Sequence, residues 1–147
     1  MKKAVIVLAI TTVFFFCQWI GAIKEHYDRM EELCQRYAED AAGHLANYVE
    51  FKDINDESYI GQYWGSVAVF YAFMDTLYML PDSGGWNRAM YNNCDVLYDH
   101  MLLAPDEVLA HLDEVLAALE LVGEDFTDFE ARRAMNELSY NLQYVWE

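Results

Sequence analysis

Four histidines are the residues of this chain best suited to bind a metal ion, but their spacing matches no common metal-binding pattern. They are His26, His44, His100 and His111. Di-iron helical bundles use a Glu-x-x-His pair, and zinc sites use His-Glu-x-x-His or Cys-x-x-Cys, because each spacing turns two ligands toward one ion. None of these patterns occurs in the sequence. We therefore predict no metal site and no cofactor, with the histidines at the surface or just beneath it.

A second candidate for chemistry is the stretch that starts at Asp53, which begins like a calcium-binding loop. Asp53, Asn55 and Glu57 alternate as the first ligands of such a loop do. The sixth position of a calcium loop is glycine and the twelfth is glutamate, whereas here they are Ser58 and Trp64. The sequence also lacks a Gly-x-Ser-x-Gly motif and a phosphate-binding loop. We therefore interpret the stretch as a turn and predict a protein that is not an enzyme.

Three cysteines complete the reactive side chains. Cys17 lies in an apolar N-terminal stretch, where it needs no role beyond packing. Cys34 and Cys94 fall on the inward-facing rows of two different predicted helices. Outside the cytoplasm these two can form a disulfide bond, and buried free thiols are the equally supported alternative. The spacing leaves both alternatives open.

The apolar stretch that contains Cys17 dominates the organisation of the chain. Residues 4–23 contain no charged side chain, and Lys2 and Lys3 precede them. Helical residues advance about 1.5 Å each, so a stretch of this length spans about 30 Å, the thickness of the hydrocarbon core of a bilayer. Trp19 lies near its end, where an indole suits the headgroup layer. We predict a transmembrane anchor with a cytoplasmic N-terminus and the remaining chain on the periplasmic, extracellular or intermembrane-space side.

A cleavable secretory signal is the alternative for residues 4–23. Signal peptidase prefers small residues at the last and third-last positions before the cut. The best candidate cut, after Ala22, places Ile20 at the third-last position, where a small residue is preferred. We therefore favour an anchor at residues 1–23, followed by a helical domain at residues 24–147, over a secreted helical protein.

The chain beyond the predicted anchor is strongly acidic. Residues 24–147 contain all 25 acidic side chains and seven of the nine basic ones, which gives a net charge of −18. Such a surface repels nucleic acids and anionic lipid headgroups, so we predict neither as a partner of this domain. High charge keeps a domain soluble and also favours a basic partner, and composition does not decide between these two roles.

The periodicity of apolar residues predicts an all-α domain, a bundle of four or five helices after the anchor. We place helices at about residues 24–52, 57–80, 86–103, 105–123 and 127 onward. Pro105 opens the fourth helix and Gly123 is expected to cap it, and Thr127 is expected to open the fifth with a capping box. No breaker lies between residues 4 and 52, which allows the anchor to continue directly into the first helix of the bundle.

Asp75 is the only charged residue between residues 59 and 80, in the most apolar of these helices. Four tyrosines and two glycines distinguish this helix from a second membrane span. We therefore interpret it as the central buried helix of the bundle. A lone acid in such a helix is either a functional group or the ion-pair partner of a cation, with Arg29 and Arg36 as the candidates.

Two rows of small residues predict that the first two helices of the bundle pack closely as an antiparallel hairpin. Each row repeats at intervals of three or four residues and so follows one helix face. Around a turn near Ile54, facing positions have numbers that add to about 107, and facing small residues allow the helix axes to approach closely. The rows are Ala38, Ala42 and Ala46 on the first helix and Gly61, Gly65, Ala68 and Ala72 on the second.

The functional prediction follows from the anchor and from the lack of a catalytic motif. We predict an accessory or assembly subunit of a larger membrane complex, with other subunits of that complex and the lipid bilayer, through residues 4–23, as its partners. Aromatic residues crowd the C-terminus at Tyr140, Tyr144 and Trp146 and form the predicted partner surface. The alternatives are a ligand-binding or sensory helical domain outside the cytoplasm and, if the anchor is cleaved, a secreted protein.

Overall fold

Six helices and no strand make up the part of the chain that the structure, a computed structural model, describes. This part covers residues 2–54, 56–81 and 85–143, with side chains from residue 10 onward. The helices are α1 (Lys2–Asp53), α2 (Tyr59–Met79), α3 (Trp86–Leu103), α4 (Pro105–Ala110), α5 (Leu112–Asp125) and α6 (Phe129–Gln143). The prediction of an all-α protein with a helical bundle is confirmed.

Five of these helices surround one hydrophobic core. The helix α1 packs against α2 and α5, α3 packs against α2 and α6, and α5 and α6 pack against each other, so the contacts close a ring. The short α4 contacts α3 and α5. Large side chains from all five long helices fill the ring, together with one from the loop after α5: Leu45, Phe70, Phe73, Leu77, Leu97, Met101, Leu119, Phe126, Met135 and Leu142.

The longest helix, α1, runs without a break from Lys2 into the bundle. Neither Gly21 nor Gly43 interrupts it, so the stretch predicted as an anchor continues directly into the first helix of the bundle. Every residue from Ile10 to Ala22 is exposed, and the first buried side chain on α1 is that of Met30. An apolar length of helix therefore extends beyond the packed domain.

Among the residues with described side chains, the helices lack a stretch that is both long enough and apolar enough to cross a bilayer. Residues 4–9, the first six of the predicted anchor, lie outside those residues.

The hairpin of α1 and α2 has the predicted antiparallel register. The Ser66 hydroxyl donates a buried hydrogen bond to the Ala41 carbonyl oxygen at 2.8 Å. Four residues away, His44 Nδ1 lies 2.8 Å from Gln62 Oε1. The residue numbers of these pairs add to 107 and 106, so positions on α2 can be matched to positions on α1 along the whole hairpin.

The row of small residues on α2 does not follow the seam of this hairpin. Gly65 lies against the His44 ring, whereas Gly61 and Ala68 are exposed and Ala72 is half-buried. The large apolar side chains of α2 set its rotation, because they must enter the core, and they turn Gly61 and Ala68 outward. The predicted seam therefore does not include these two residues.

The row of small residues on α1 faces α5 instead. Ala38 and Ala42 are buried, and Ala42 and the exposed Ala46 line a groove shared with residues 120 and 124 of α5. The closest approach is at Gly123, where a Cβ would lie 3.2 Å from the backbone nitrogen of Glu39. Gly123 is therefore not the predicted helix cap, because α5 continues past it to residue 125. Its missing side chain allows α5 to pack directly on α1.

A break inside one predicted helix and the cap of another differ from the prediction. The expected helix at 105–123 is divided at His111, whose amide lies 3.2 Å from the carbonyl oxygens of both Glu107 and Val108. Such shared bonds mark a locally tightened turn. The helix α6 is capped by Asp128 rather than by Thr127, because the Asp128 carboxylate accepts a hydrogen bond from the amide two residues later.

Tyr63 compensates for the proline that follows α3. In a continuous helix the Met101 carbonyl oxygen would accept a hydrogen bond from the amide four residues later, but that residue is Pro105, which has no N–H. The Tyr63 hydroxyl instead donates a buried hydrogen bond to this oxygen at 2.9 Å. Burial raises the pKa of Tyr63 to about 12, so the hydroxyl remains a donor near neutral pH.

We expect Tyr63→Phe to lower the free energy of unfolding by about 1 to 2 kcal/mol, because it leaves the buried Met101 oxygen without this donor. Urea unfolding of the full chain in detergent, followed by circular dichroism, measures the change. Tyr71→Phe, at an exposed tyrosine on the same helix, is the control and should change the value by less than about 0.5 kcal/mol. Equal effects of the two substitutions would contradict the role assigned to Tyr63.

Candidate interaction surface

The helix α2 has a second apolar face that the described part of the chain leaves uncovered. Six of its exposed positions follow one another at alternating steps of three and four residues, the spacing that lines one side of a helix. We name them the α2 stripe: Gly61, Trp64, Ala68, Tyr71, Asp75 and Tyr78. The other side of α2 is buried in the core. The helix is therefore half-buried, not the fully buried central helix that the sequence predicts.

Tyrosines of α3 hold two rings of the α2 stripe in place. The ring centroid of Tyr71 lies 5.6 Å from that of Tyr98, and Tyr78 lies 5.6 Å from Tyr91. Aromatic pairs at this separation attract each other beyond the area that they bury. These contacts also restrict the rings in the free chain, which lowers the entropy that binding a partner must overcome. The α2 stripe is thus a preformed aromatic surface.

Carboxylates give the same surface a negative charge. Partial burial and then Asp95 raise the pKa of Tyr91, and Asp75 adds to this shift, so both carboxylates lie near its hydroxyl. The sequence offers Asp75 as a functional acid or as the partner of Arg29 or Arg36. In the described part of the chain Asp75 is exposed and forms no ion pair, and Arg29 pairs with an acid one turn earlier on α1.

The C-terminal partner surface predicted from the sequence is a different region. Tyr140 is exposed on α6, while Tyr144 and Trp146 lie outside the described residues. In the ring of helices α3 lies between α2 and α6. Tyr140 therefore belongs to another side of the bundle than the α2 stripe.

Cys34 and Cys94 are buried free thiols, not the disulfide bond that the sequence left open. Burial raises the pKa of Cys34 to about 12, and the charge of Glu31 adds to the shift. Burial also raises the pKa of Cys94, with a further contribution from Cys34, so the two sulfurs lie in the same part of the core. Cys17 is also a free thiol and is exposed on α1. A thiol that remains protonated is a poor nucleophile and a poor metal ligand.

The histidines are spread over the bundle. Three of them lie within hydrogen-bonding range of a neighbouring acceptor: His44 with the Gln62 side chain, His100 with the Val96 carbonyl oxygen and His111 with the Glu114 carboxylate. His100 is buried, unlike the surface or boundary position predicted for it, and His26 is exposed beside Tyr27. Within the residues that the structure describes, no three side chains of His, Cys, Asp or Glu are arranged to hold a metal ion.

The sequence contains a signal for the α2 stripe that helical periodicity alone does not use. Only one of the 21 residues of α2 is charged, in a domain where carboxylates are frequent. A helix at the surface of such a domain is expected to carry charges on its outer side. The shortage of charge at the outward positions of α2 is therefore a feature of the sequence that distinguishes this surface from the rest of the domain.

No protein-family model, curated protein or solved structure matches the chain.

Proposed function

We propose that the chain is a membrane-anchored, non-catalytic accessory subunit, and that its α2 stripe binds another protein subunit of a membrane complex. The observation that carries the proposal is the stripe itself, an ordered aromatic surface with a single charge on a domain whose net charge is −18. A surface of this kind is costly to leave in water and is typical of protein contacts.

Residues 4–23 are the proposed anchor. They contain no charge, and they match the length that a helix needs to cross a bilayer core. They belong to α1, and their described side chains, from Ile10 to Ala22, are all exposed. Lys2 and Lys3 favour a cytoplasmic N-terminus, which places the bundle on the opposite side of the membrane.

The sequence of large and small side chains along the α2 stripe suits packing against a helix of a partner. Trp64, Tyr71 and Tyr78 project from the stripe at intervals of seven residues. Gly61 precedes Trp64, and Ala68 lies between Trp64 and Tyr71. Large residues that alternate with small ones at this spacing create the knobs and holes by which helices interlock. Tyrosine and tryptophan are also enriched in protein interfaces, because they bury a large area at a small entropic cost.

A pair of alanine substitutions tests the proposal. Ala68 on the α2 stripe and Ala117 on α5 are both exposed helical alanines, so Ala68→Glu and Ala117→Glu add the same side chain to different surfaces. We expect wild type and Ala117→Glu, extracted from the native membrane in mild detergent, to migrate as a complex larger than one chain. Ala68→Glu should migrate as the single chain, because a buried unpaired carboxylate is strongly unfavourable at an interface.

Two outcomes would contradict the proposal. If wild type itself migrates as a single chain, it is not an accessory subunit in that membrane. If Ala68→Glu remains in the complex as fully as Ala117→Glu, the complex forms through another surface.

A further inference from the structure

One end of the bundle, which we name the base, is the end from which α1 leaves toward residues 4–23. The helix α2 runs antiparallel to α1, so its last residue, Met79, lies at the base. In the register of the hairpin Met79 is opposite Asp28, five residues beyond Ile23. Five helical residues advance about 8 Å. The polar layer outside the hydrocarbon core is about 5 to 8 Å thick on each side, so the proposed anchor brings the base to this layer.

Two more helices begin at the base. The helix α3 starts at Trp86, shortly after the end of α2. The guanidinium of Arg132, in the first turn of α6, lies 4.9 Å from the centre of the Trp86 ring, so α6 also starts at this end. Phe129, the first residue of α6, shares a surface groove with Trp86 and Arg132. The base thus combines the end of α2 with the beginnings of α3 and α6.

The side chains of the base have the composition of a membrane interface. Met79, Trp86 and Phe129 are 60%, 54% and 67% exposed. Basic residues are concentrated at the same end, with five of the seven in residues 24–147: Lys24, Arg29, Arg88, Arg132 and Arg133. Aromatic rings and cations are the residues that membrane proteins place at the level of the lipid headgroups.

We infer that the base sits in the headgroup layer of the membrane, with Met79, Trp86 and Phe129 inserted among the lipids and Arg88 next to lipid phosphates. This inference rests on the proposed anchor and adds a second contact with the bilayer. The anchor and the bundle share the unbroken helix α1, so the position of the anchor sets the height of the base. Most carboxylates of the domain lie away from the base, and their repulsion by anionic lipids favours the same upright orientation.

At one end of the bundle this inference departs from the sequence-based expectation that the acidic domain avoids lipid headgroups. The net charge of −18 is an average over residues 24–147. A headgroup contact depends on the charges within about 10 Å of the lipid, because salt screens those farther away. The segments that carry the five cations, residues 24–29, 79–88 and 125–133, also carry six carboxylates, so their net charge is −1.

Tryptophan fluorescence quenching in vesicles tests the inference. The chain has four tryptophans, and three variants each retain one of Trp19, Trp64 and Trp86, with phenylalanine at the other three positions. Each full-length variant is reconstituted into phosphatidylcholine vesicles whose acyl chains carry bromine close to the headgroup. Trp64 is the matched control for Trp86, because it is 50% exposed but lies opposite residue 43 of α1, about 30 Å beyond Ile23.

We expect brominated lipid to quench Trp19 and Trp86 and to leave the emission of Trp64 unchanged. If Trp19 is quenched while Trp86 behaves like Trp64, the base does not enter the headgroup layer. The proposed anchor is then supported, but the second contact with the bilayer is not. If Trp64 and Trp86 are both quenched, the bundle lies on its side and the inference is overturned. If Trp19 is not quenched, the proposed anchor itself is wrong.

Discussion

Cys34 in the folded chain is expected to react with an alkylating reagent at least about 1000-fold more slowly than in the unfolded chain at pH 8. Only the thiolate reacts, and burial raises the pKa of Cys34 from 9.0 to about 12. A shift of three pH units lowers the thiolate fraction by this factor, and exclusion of the reagent from the core slows the reaction further. Cys94 is equally buried and should be protected with it. Mass spectrometry of the chain after timed alkylation counts the labelled thiols.

A Cys17→Ser background restricts the signal to the two buried thiols, and an added Ala117→Cys provides an exposed thiol that should react at once. After denaturation without a reductant, both Cys34 and Cys94 should become labelled. If they are labelled only after reduction, they form a disulfide bond, and the free thiols of the structure are contradicted. The neutral thiols stabilise the folded state below pH 9, and this contribution is lost as the pH rises toward 12, because folding raises the pKa of Cys34.

Gly123→Leu is expected to lower the free energy of unfolding by about 2 kcal/mol or more. A Cβ at residue 123 would lie 2.7 Å from Glu39 Cγ and 3.2 Å from the Glu39 backbone nitrogen. The carboxylate arm of Glu39 can turn away, but its backbone nitrogen can move only if α1 and α5 separate. Separation opens the core between these helices and exposes apolar surface to water. Urea unfolding of the full chain in detergent, followed by circular dichroism, measures the loss.

Gly61→Leu is the matched control, because it makes the same substitution in an exposed helical position with nothing within 4 Å of the new Cβ. Leucine is favoured over glycine in a helix by about 0.8 kcal/mol. Both variants receive this gain, so Gly61→Leu should be slightly more stable than wild type and the difference between the two variants isolates the packing at Glu39. A stabilising Gly123→Leu would show that α5 does not pack directly on α1.

The elements of the fold were predictable where a local cause ends or starts a helix. Pro105 can be read from the sequence because it removes an N–H and restricts the residue before it. The break at His111 has no such cause, since neither proline nor glycine is present, and it arises where the chain turns from α3 into α5. A glycine near a helix end, such as Gly123, suits a cap as well as a close crossing. The close approach of the Glu39 backbone, which only the structure shows, identifies Gly123 as the site of a close crossing.

The faces of the helices were less predictable, because periodicity shows which residues share a face but not which neighbour covers it. The helix α1 has two neighbours in the ring, and the alanine row that includes Ala42 turns toward α5 rather than toward α2. The helix α2 is apolar on both sides, so the sequence predicts that it is buried all round. Only the arrangement of the other helices shows that Trp64 and Tyr71 have no covering helix in the described part of the chain. Tertiary structure therefore decides which helix faces remain free to bind a partner, whereas the helix content follows largely from the local sequence.

The unbroken helix α1 also acts as a mechanical lever. From Ile23 to Asp53 it is about 45 Å long, and it has no hinge along this length. Transmembrane helices change their tilt when the thickness of the bilayer changes, so a tilt of about 10° at the proposed anchor would move the Asp53 end sideways by about 8 Å. The α2 stripe is fixed to this lever through the hairpin. If the proposed anchor and partner share one membrane, the position of the stripe relative to that partner would therefore vary with bilayer thickness.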